Sequence, residues 1–128
     1  MRILIVDDHA GVRKGVRSTL EDCDGLEVVG EGANGEEAIA QASKLQPDLI
    51  IMDVSMPVLD GLSAAEIIKT YRPQTRILIF SSHKVREFIE VAKNLGLNGY
   101  VPKDEEGPSL LNAVEAVRRD QTYFPVPG

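Results

Sequence analysis

The chain has no tryptophan and a single cysteine, and aromatic residues make up only 5% of it. The lone Cys23 excludes an internal disulfide, and with no second cysteine nearby it excludes a CxxC metal or redox site as well. Its plain reading is a helix residue in a reducing compartment. Basic residues are outnumbered: 14 Lys and Arg against 20 Asp and Glu leave a net charge of −6. That balance disfavours nonspecific capture of DNA or of an anionic membrane and favours a basic partner or a cation. Long apolar runs are also missing. Ile3 to Val6, Leu49 to Met52 and Ile77 to Phe80 are far short of the roughly 18 residues a membrane span needs. The first of them ends in Asp7-Asp8, unlike a signal peptide. A soluble, cytoplasmic chain is expected. Its 128 residues fit one domain at about 100–200 residues each, which leaves no room for separate catalytic and regulatory modules.

What the chain does have is alternation. Short apolar runs and helical patterns follow one another five times, the signature of βα units building a parallel sheet. Strands are expected near residues 2–7, 26–30, 48–53, 76–81 and 98–102. The first, third and fourth are nearly all apolar, as strands covered by helices on both faces must be, and belong at the centre of the sheet. Five helices are expected from apolar stripes: Val12, Val16 and Leu20; Ile39, Ala42 and Leu45; Ala64, Ile67, Ile68 and Tyr71; Val85, Ile89 and Lys93 with Phe88, Ala92 and Leu95; and Leu110, Leu111, Val114 and Val117. Pro47, Pro57, Pro73 and Pro108 with Gly25, Gly61, Gly96 and Gly107 punctuate the boundaries. One domain over residues 1–120 is expected, followed by a tail at 121–128 whose prolines and glycine read as a linker or a frayed end.

In an open parallel sheet, ligands collect outside the carboxyl ends of the strands. There the sequence places Asp7-Asp8 after the first strand, Asp53 after the third, Ser81-Ser82-His83 after the fourth, and Tyr100 to Pro102-Lys103 along and after the fifth. Taken singly, Asp8 suits a helix N-cap, Ser81 or His83 the cap of the next helix, and Lys103 a solvated loop charge. Those separate roles do not account for the set. Three carboxylates brought within a few ångströms repel one another unless a cation holds them, and all-oxygen ligation points to Mg²⁺ or a similar divalent ion such as Mn²⁺.

A competing pattern is Gly30-Glu31-Gly32-Ala33-Asn34-Gly35, a literal GxGxxG with Asp53 eighteen residues beyond it, close to a dinucleotide-binding fingerprint. Glu31, Glu36 and Glu37 would set three negative charges where a pyrophosphate must meet a helix N-terminus. The same residues suit a solvent-facing N-terminus capped by Asn34, so no nucleotide cofactor is expected. The absence of GxxxxGK[ST] argues equally against a nucleoside triphosphatase.

Asp7-Asp8, Asp53 followed by Met56-Pro57 and Gly61, Ser81, Tyr100 and Lys103 together resemble the acidic pair, phosphoacceptor motif, switch hydroxyl, switch aromatic and lysine of a response-regulator receiver domain. The resemblance spans essentially the whole chain. Asp7-Asp8-His9, Val12-Arg13, Gly15, Ser81-Ser82-His83 and Gly99-Tyr100 are similar to the NarL/FixJ-type transcriptional regulators. The resemblance implies a doubly wound, flavodoxin-like sheet of order 2-1-3-4-5, an arrangement general principles already associate with receivers. It further implies Asp53 as phosphoacceptor from a histidine kinase. Mg²⁺ would be held by Asp8, Asp53 and the Ser55 backbone carbonyl, with Asp7 acting through water. Lys103 and Ser81 would contact the phosphoryl group, Ser55 and His83 would modulate it, and Tyr100 would rotate inward as Ser81 moves. Homodimerisation and a helix-turn-helix output domain beyond this chain are implied as well, with no DNA binding by the chain itself and no turnover of an external substrate. Two departures stand out. Pro102 replaces an aliphatic residue before the lysine and admits a cis bond, and Ser55, two residues after the acceptor, is small at a place where the family varies. A phosphohydrolase of similar topology with an Asp nucleophile is a rival reading, but it would want a second acid where Ser55 stands. A stand-alone receiver acting through protein contacts is the alternative, and a phosphate-independent interaction module is a further rival.

Overall fold

The runs that are apolar at every position form the middle of the sheet. The computed structural model describes residues 1–82, 85–103 and 108–124. Along the chain, β1 (Arg2–Val6), α1 (Ala10–Glu21), β2 (Glu27–Gly32), α2 (Gly35–Leu45) and β3 (Leu49–Met52) are followed by α3 (Gly61–Tyr71), β4 (Arg76–Ser81), α4 (Val85–Asn94), β5 (Gly99–Pro102) and α5 (Pro108–Arg118). All strand pairs are parallel, and their order is β2-β1-β3-β4-β5. β1, β3 and β4 are therefore central, as their composition requires.

Alternate residues of each strand serve opposite faces. Ile3, Ile5, Leu49, Ile51, Leu78 and Val101 pack with α1 and α5 residues such as Leu20 and Val114. Leu4, Val6, Ile50, Met52, Ile77 and Ile79 pack with Ala38, Ala42, Ala64, Ile68 and Ile89 of α2, α3 and α4. Two helix stripes differ from expectation. On α3 the buried residues are Gly61, Ala64, Ala65 and Ile68, whereas Tyr71 is 80% exposed and Ile67 36%; small residues let α3 lie close to the sheet and turn its larger apolar groups outward. On α4, Ile89 and Ala92 are buried, while exposed Lys93 reaches the face of Phe124, its Nζ 5.4 Å from the ring centroid.

β2 outruns its expected end at Gly30. Its register against β1 slips between Ile3 and Leu4, and pairing then continues to Gly32, whose carbonyl accepts from the Asp7 N–H at 3.0 Å. Gly30 and Gly32 are thus strand residues. Gly35 opens α2 where an added Cβ would strike the Leu59 carbonyl. Asn34 caps α2 by accepting from the Glu37 N–H at 2.9 Å, and Glu37 accepts in return from the Ala33 N–H at 3.0 Å, a reciprocal cap. The apparent fingerprint is a strand end and a capped helix.

The expected tail is partly tied down. The Tyr100 N–H donates to the Tyr123 carbonyl at 2.8 Å, and the Tyr123 N–H donates to Asn98 at 2.9 Å. Phe124 packs on the core, and residues 125–128 lie outside the described residues. The peptide bond before Pro102 is trans, as are the others described, because β5 continues through Pro102 in parallel register with Ser81.

Two glycines should respond oppositely to alanine in urea unfolding. Gly15 is exposed inside α1 with nothing near its missing side chain, so Gly15→Ala is expected to add about 0.5–1 kcal/mol. At Gly61 a Cβ would overlap the Asp53 carbonyl oxygen, and Gly61→Ala is expected to cost about 1–3 kcal/mol.

Candidate functional site

Four neighbouring strands end at the same edge, and each delivers one of the expected groups there. Asp7 follows β1 and Asp53 follows β3; both are almost fully buried, at 2% and 5% exposure. Ser81 closes β4, fully buried, and Lys103 follows β5. Backbone bonds fix the ends to one another: the Asp53 N–H donates to Val6 at 3.0 Å and the Lys103 N–H to Ser81 at 2.8 Å. Gly61 completes the corner after β3, its N–H donating to Val54 at 2.8 Å. Without a side chain, it lets the start of α3 lie against Asp53. At the outer tip of this loop Val58 takes φ 70, a strained conformation for a β-branched residue.

The Lys103 ammonium lies between the two buried carboxylates, 2.6 Å from Asp7 Oδ2 and 3.2 Å from Asp53 Oδ2. Burial works against its charge, yet the hydrogen bond to Asp7 and the charges of Asp53 and Asp7 outweigh burial and hold its pKa above the ordinary value of 10.5. Its Nζ also sits 5.8 Å from the centroid of the Phe80 ring, a cation–π contact the linear pattern did not disclose. Asp53 Oδ1 accepts from the Val54 N–H at 2.8 Å. Asp8 is more open, its side chain 29% exposed, and shares a depression with Val54, Ser55, Met56, Pro57 and Asp60.

Asp8 does not cap α1. The N-cap is His9, whose side chain makes no capping bond and whose Nδ1 lies 3.1 Å from Asp8 and 3.3 Å from Asp7. One ligand atom each from Asp7, Asp8, His9 and Asp53 falls within 4.8 Å of the others. The donor set suits a hard divalent cation: two of its three carboxylates share one ammonium, and the third, Asp8, is the most open and borders a depression lined by Ser55.

Tyr100 is fully buried and hydrogen-bonds Ser81, so the inward position expected to follow phosphorylation is already occupied. Burial raises its pKa; the Ser81 bond opposes this and the Asp53 charge adds to it, and the phenol stays neutral at physiological pH. His83 lies outside the described residues. His9, Phe80 and Arg13, whose Nη1 donates to the Asp7 carbonyl at 2.5 Å, were not singled out from sequence as site residues.

Comparison with known proteins agrees with this geometry. The response regulator receiver domain family matches residues 3–115. Response regulator protein VraR of Staphylococcus aureus is 39% identical over 124 residues, or 97% of this chain. The chain spans 59% of the length of that curated relative. A two-component response regulator of the LuxR family from Aurantimonas sp. SI85-9A1 superposes with a TM-score of 0.91 at 35% identity, covering 95% of this chain and 87% of the other. The isolated receiver domain of RcsB from Salmonella enterica serovar Typhimurium, solved with the phosphomimetic BeF₃⁻, gives 0.91 at 28% identity over 98% of this chain and 93% of the other. In a further structure, RcsB dimers are bound to DNA; there the TM-score is 0.89 at 28% identity, over 98% of this chain and 64% of the other. No helix among the described residues is long and apolar enough to cross a membrane.

Lys103→Met should destabilise the metal-free protein by about 2 kcal/mol at neutral pH, since buried acceptors lose a charged partner. The raised lysine pKa means that its contribution is fully present below the unfolded value and is lost as pH rises through the folded one. From neutral pH upward, stability should therefore show a steady gap between wild type and variant up to about 10.5 that closes only above it.

Proposed function

The chain belongs to the response regulator receiver domain family, and on that premise we propose that it is a phosphorylation-controlled switch in which Asp53 accepts a phosphoryl group from a histidine kinase. The observation that carries this reading is the buried Asp53 carboxylate. One oxygen is oriented by the Val54 N–H, the other lies within reach of Lys103, and two further acids stand beside them.

Asp8, Asp53 and the Ser55 carbonyl would hold Mg²⁺ or Mn²⁺, with Asp7 acting through water. Held there, the ion would supply positive charge to offset the carboxylates and a phosphoryl group in transfer. Asp53 acts as nucleophile: its carboxylate oxygen forms a bond to phosphorus as the bond from phosphorus to the kinase imidazole nitrogen breaks, and the nitrogen leaves with the electron pair. Lys103 is poised to shift from the Asp53 carboxylate to a phosphoryl oxygen. Ser81 can donate to another, at the expense of its bond with Tyr100. Because Tyr100 is already inside, phosphorylation acts by changing what holds it there and so biases the surface of α4, β5 and α5 between two packings. Ser55 at the depression and His83, as the resemblance implies, would act as modulating residues. The domain promotes a change in itself and turns over no external substrate.

The similarity to LuxR-family regulators supports a cytoplasmic transcription regulator that dimerises on phosphorylation and controls a DNA-binding output module. With a net charge of −6 and the helices committed to covering the sheet, we expect no direct DNA binding by these 128 residues.

Intact-mass measurement with a small-molecule phosphoryl donor tests the assignment. One phosphoryl group should be gained in the presence of Mg²⁺, and none after chelation or in Asp53→Asn. A gain that survives Asp53→Asn, or that ignores chelation, contradicts it.

A further inference from the structure

One guanidinium joins the carboxyl ends of β1 and β2. Arg13, in the first turns of α1, donates from Nη1 to the Asp7 carbonyl at 2.5 Å and from Nε to Glu31 Oε1 at 2.9 Å. Glu31 is held in turn by Arg17, whose Nε and Nη2 lie 2.9 and 2.7 Å from its Oε2. Burial pushes the Glu31 carboxyl up, but the bonds from Arg17 and Arg13 prevail and keep its pKa below the ordinary value. The Arg13 side chain is only 19% exposed, so it is held among these partners rather than waving in solvent.

The importance of the contact lies in which carbonyl it grips. Every other polar group of Asp7 is engaged: its N–H with Gly32 at 3.0 Å, Oδ1 with the His9 N–H at 2.9 Å, and Oδ2 with Lys103 at 2.6 Å. The remaining oxygen belongs to the planar peptide that leads into Asp8, and the orientation of that plane sets where the Asp8 backbone starts. Asp8 itself sits at the open rim of the site, where its own side-chain contacts constrain it less than those of Asp7 do.

We propose that Arg13 and Glu31 form a positioning pair for the Asp8 carboxylate, an inference that rests on the reading of Asp8 as a cation ligand. Arg13 fixes the Asp7–Asp8 peptide plane. Glu31 aims the guanidinium and cancels a positive charge that would otherwise weigh against a cation one residue away. Neither side chain touches the cation or the phosphoryl group. The acidic residue inside the apparent nucleotide fingerprint thereby acquires a role in the site on the adjacent strand.

The test is a Mg²⁺ titration of the full chain followed by backbone amide shifts, with thermal unfolding measured without metal. Arg13→Gln is expected to weaken Mg²⁺ binding by about tenfold, the scale typical of groups that orient a ligand from behind. Glu31→Gln should weaken it too, and more at low salt than at high salt, because the exposed guanidinium charge is screened. Arg17→Gln removes two bonds to Glu31 but leaves Arg13 bonded to both Glu31 and the Asp7 carbonyl, and should weaken Mg²⁺ binding clearly less than Arg13→Gln does; this separates positioning from a general loss of ion pairs on the helix. In an Asp8→Asn background, Arg13→Gln should cause no further loss, a non-additivity that a purely structural role would not produce. Wild-type Mg²⁺ affinity in folded Arg13→Gln, or a loss that adds in full to that of Asp8→Asn, overturns the proposal. If Asp8→Asn alone leaves Mg²⁺ binding intact, the ligand reading fails instead. Should Arg13→Gln not fold, Glu31→Gln decides: salt-insensitive, wild-type affinity there overturns the pair.

Discussion

The structure depends on one ammonium held between two buried carboxylates. Asp7 and Asp53 lie within 4.8 Å of each other at the closest choice of ligand atoms, and at an effective dielectric near 20 such a pair repels by about 3–4 kcal/mol. Lys103 bonds both and turns that repulsion into a closed network. The lysine comes from the far end of the chain, so the network also ties β5 to β1 and β3 across the sheet. Its cost is that Lys103 cannot satisfy Asp7 and Asp53 and also serve a newly arrived anion without rearrangement. Under the proposed phosphorylation, a phosphoryl group at Asp53 would have to shift a bond that helps hold the edge together, and so a local covalent event would be felt at β5.

The remainder of the fold keeps that edge in place. Apolar strands buried on both faces fix the heights at which β1, β3 and β4 end, and parallel register from Ile3↔Leu49 to Met52↔Ile79 leaves Asp7 and Asp53 level with each other. Small residues do the rest. Ala38, Ala42, Ala64 and Ala65 are fully or almost fully buried and bring α2 and α3 close to the sheet. Gly35 and Gly61 let the loop after Asp53 fold back against both helix starts. Substituting either glycine would move the carboxylate before it touched any chemistry.

Much of this was legible in the sequence because burial on two faces leaves an unmistakable record: the apolar runs of β1, β3 and β4 gave the strands, their central places and the strand-end acids. β2 was harder to read, since a register slip and the Gly-Glu-Gly tail remove the apolar signal while pairing continues. Ile67 and Tyr71 fit the helical period of α3, but period alone does not say which of two adjacent stripes faces the core. The inward Tyr100 was out of reach for a different reason, because a side-chain rotamer is decided by packing. Arg13 lies in α1 and Glu31 in β2, 18 residues apart in sequence, and only their meeting at the ends of β1 and β2 reveals a common task.

The two margins of the sheet are closed in different ways. An edge strand offers a row of unpaired amides and carbonyls to which another chain can add. On the β2 side, Glu27 and Glu31 charge the margin and the slipped register bends it away from a flat template. On the β5 side the protection is supplied by the chain itself: Tyr123 bridges Gly99 and accepts from the Tyr100 amide. A side chain at position 99 would meet both Leu78 and the Tyr123 carbonyl, so that seal tolerates only glycine. Truncation before Tyr123 would accordingly do more than shorten the molecule. It would uncover the amide of Tyr100 and turn one margin of the sheet into an acceptor for intermolecular strand addition, so that the penalty would surface as self-association before it surfaced as lost thermal stability.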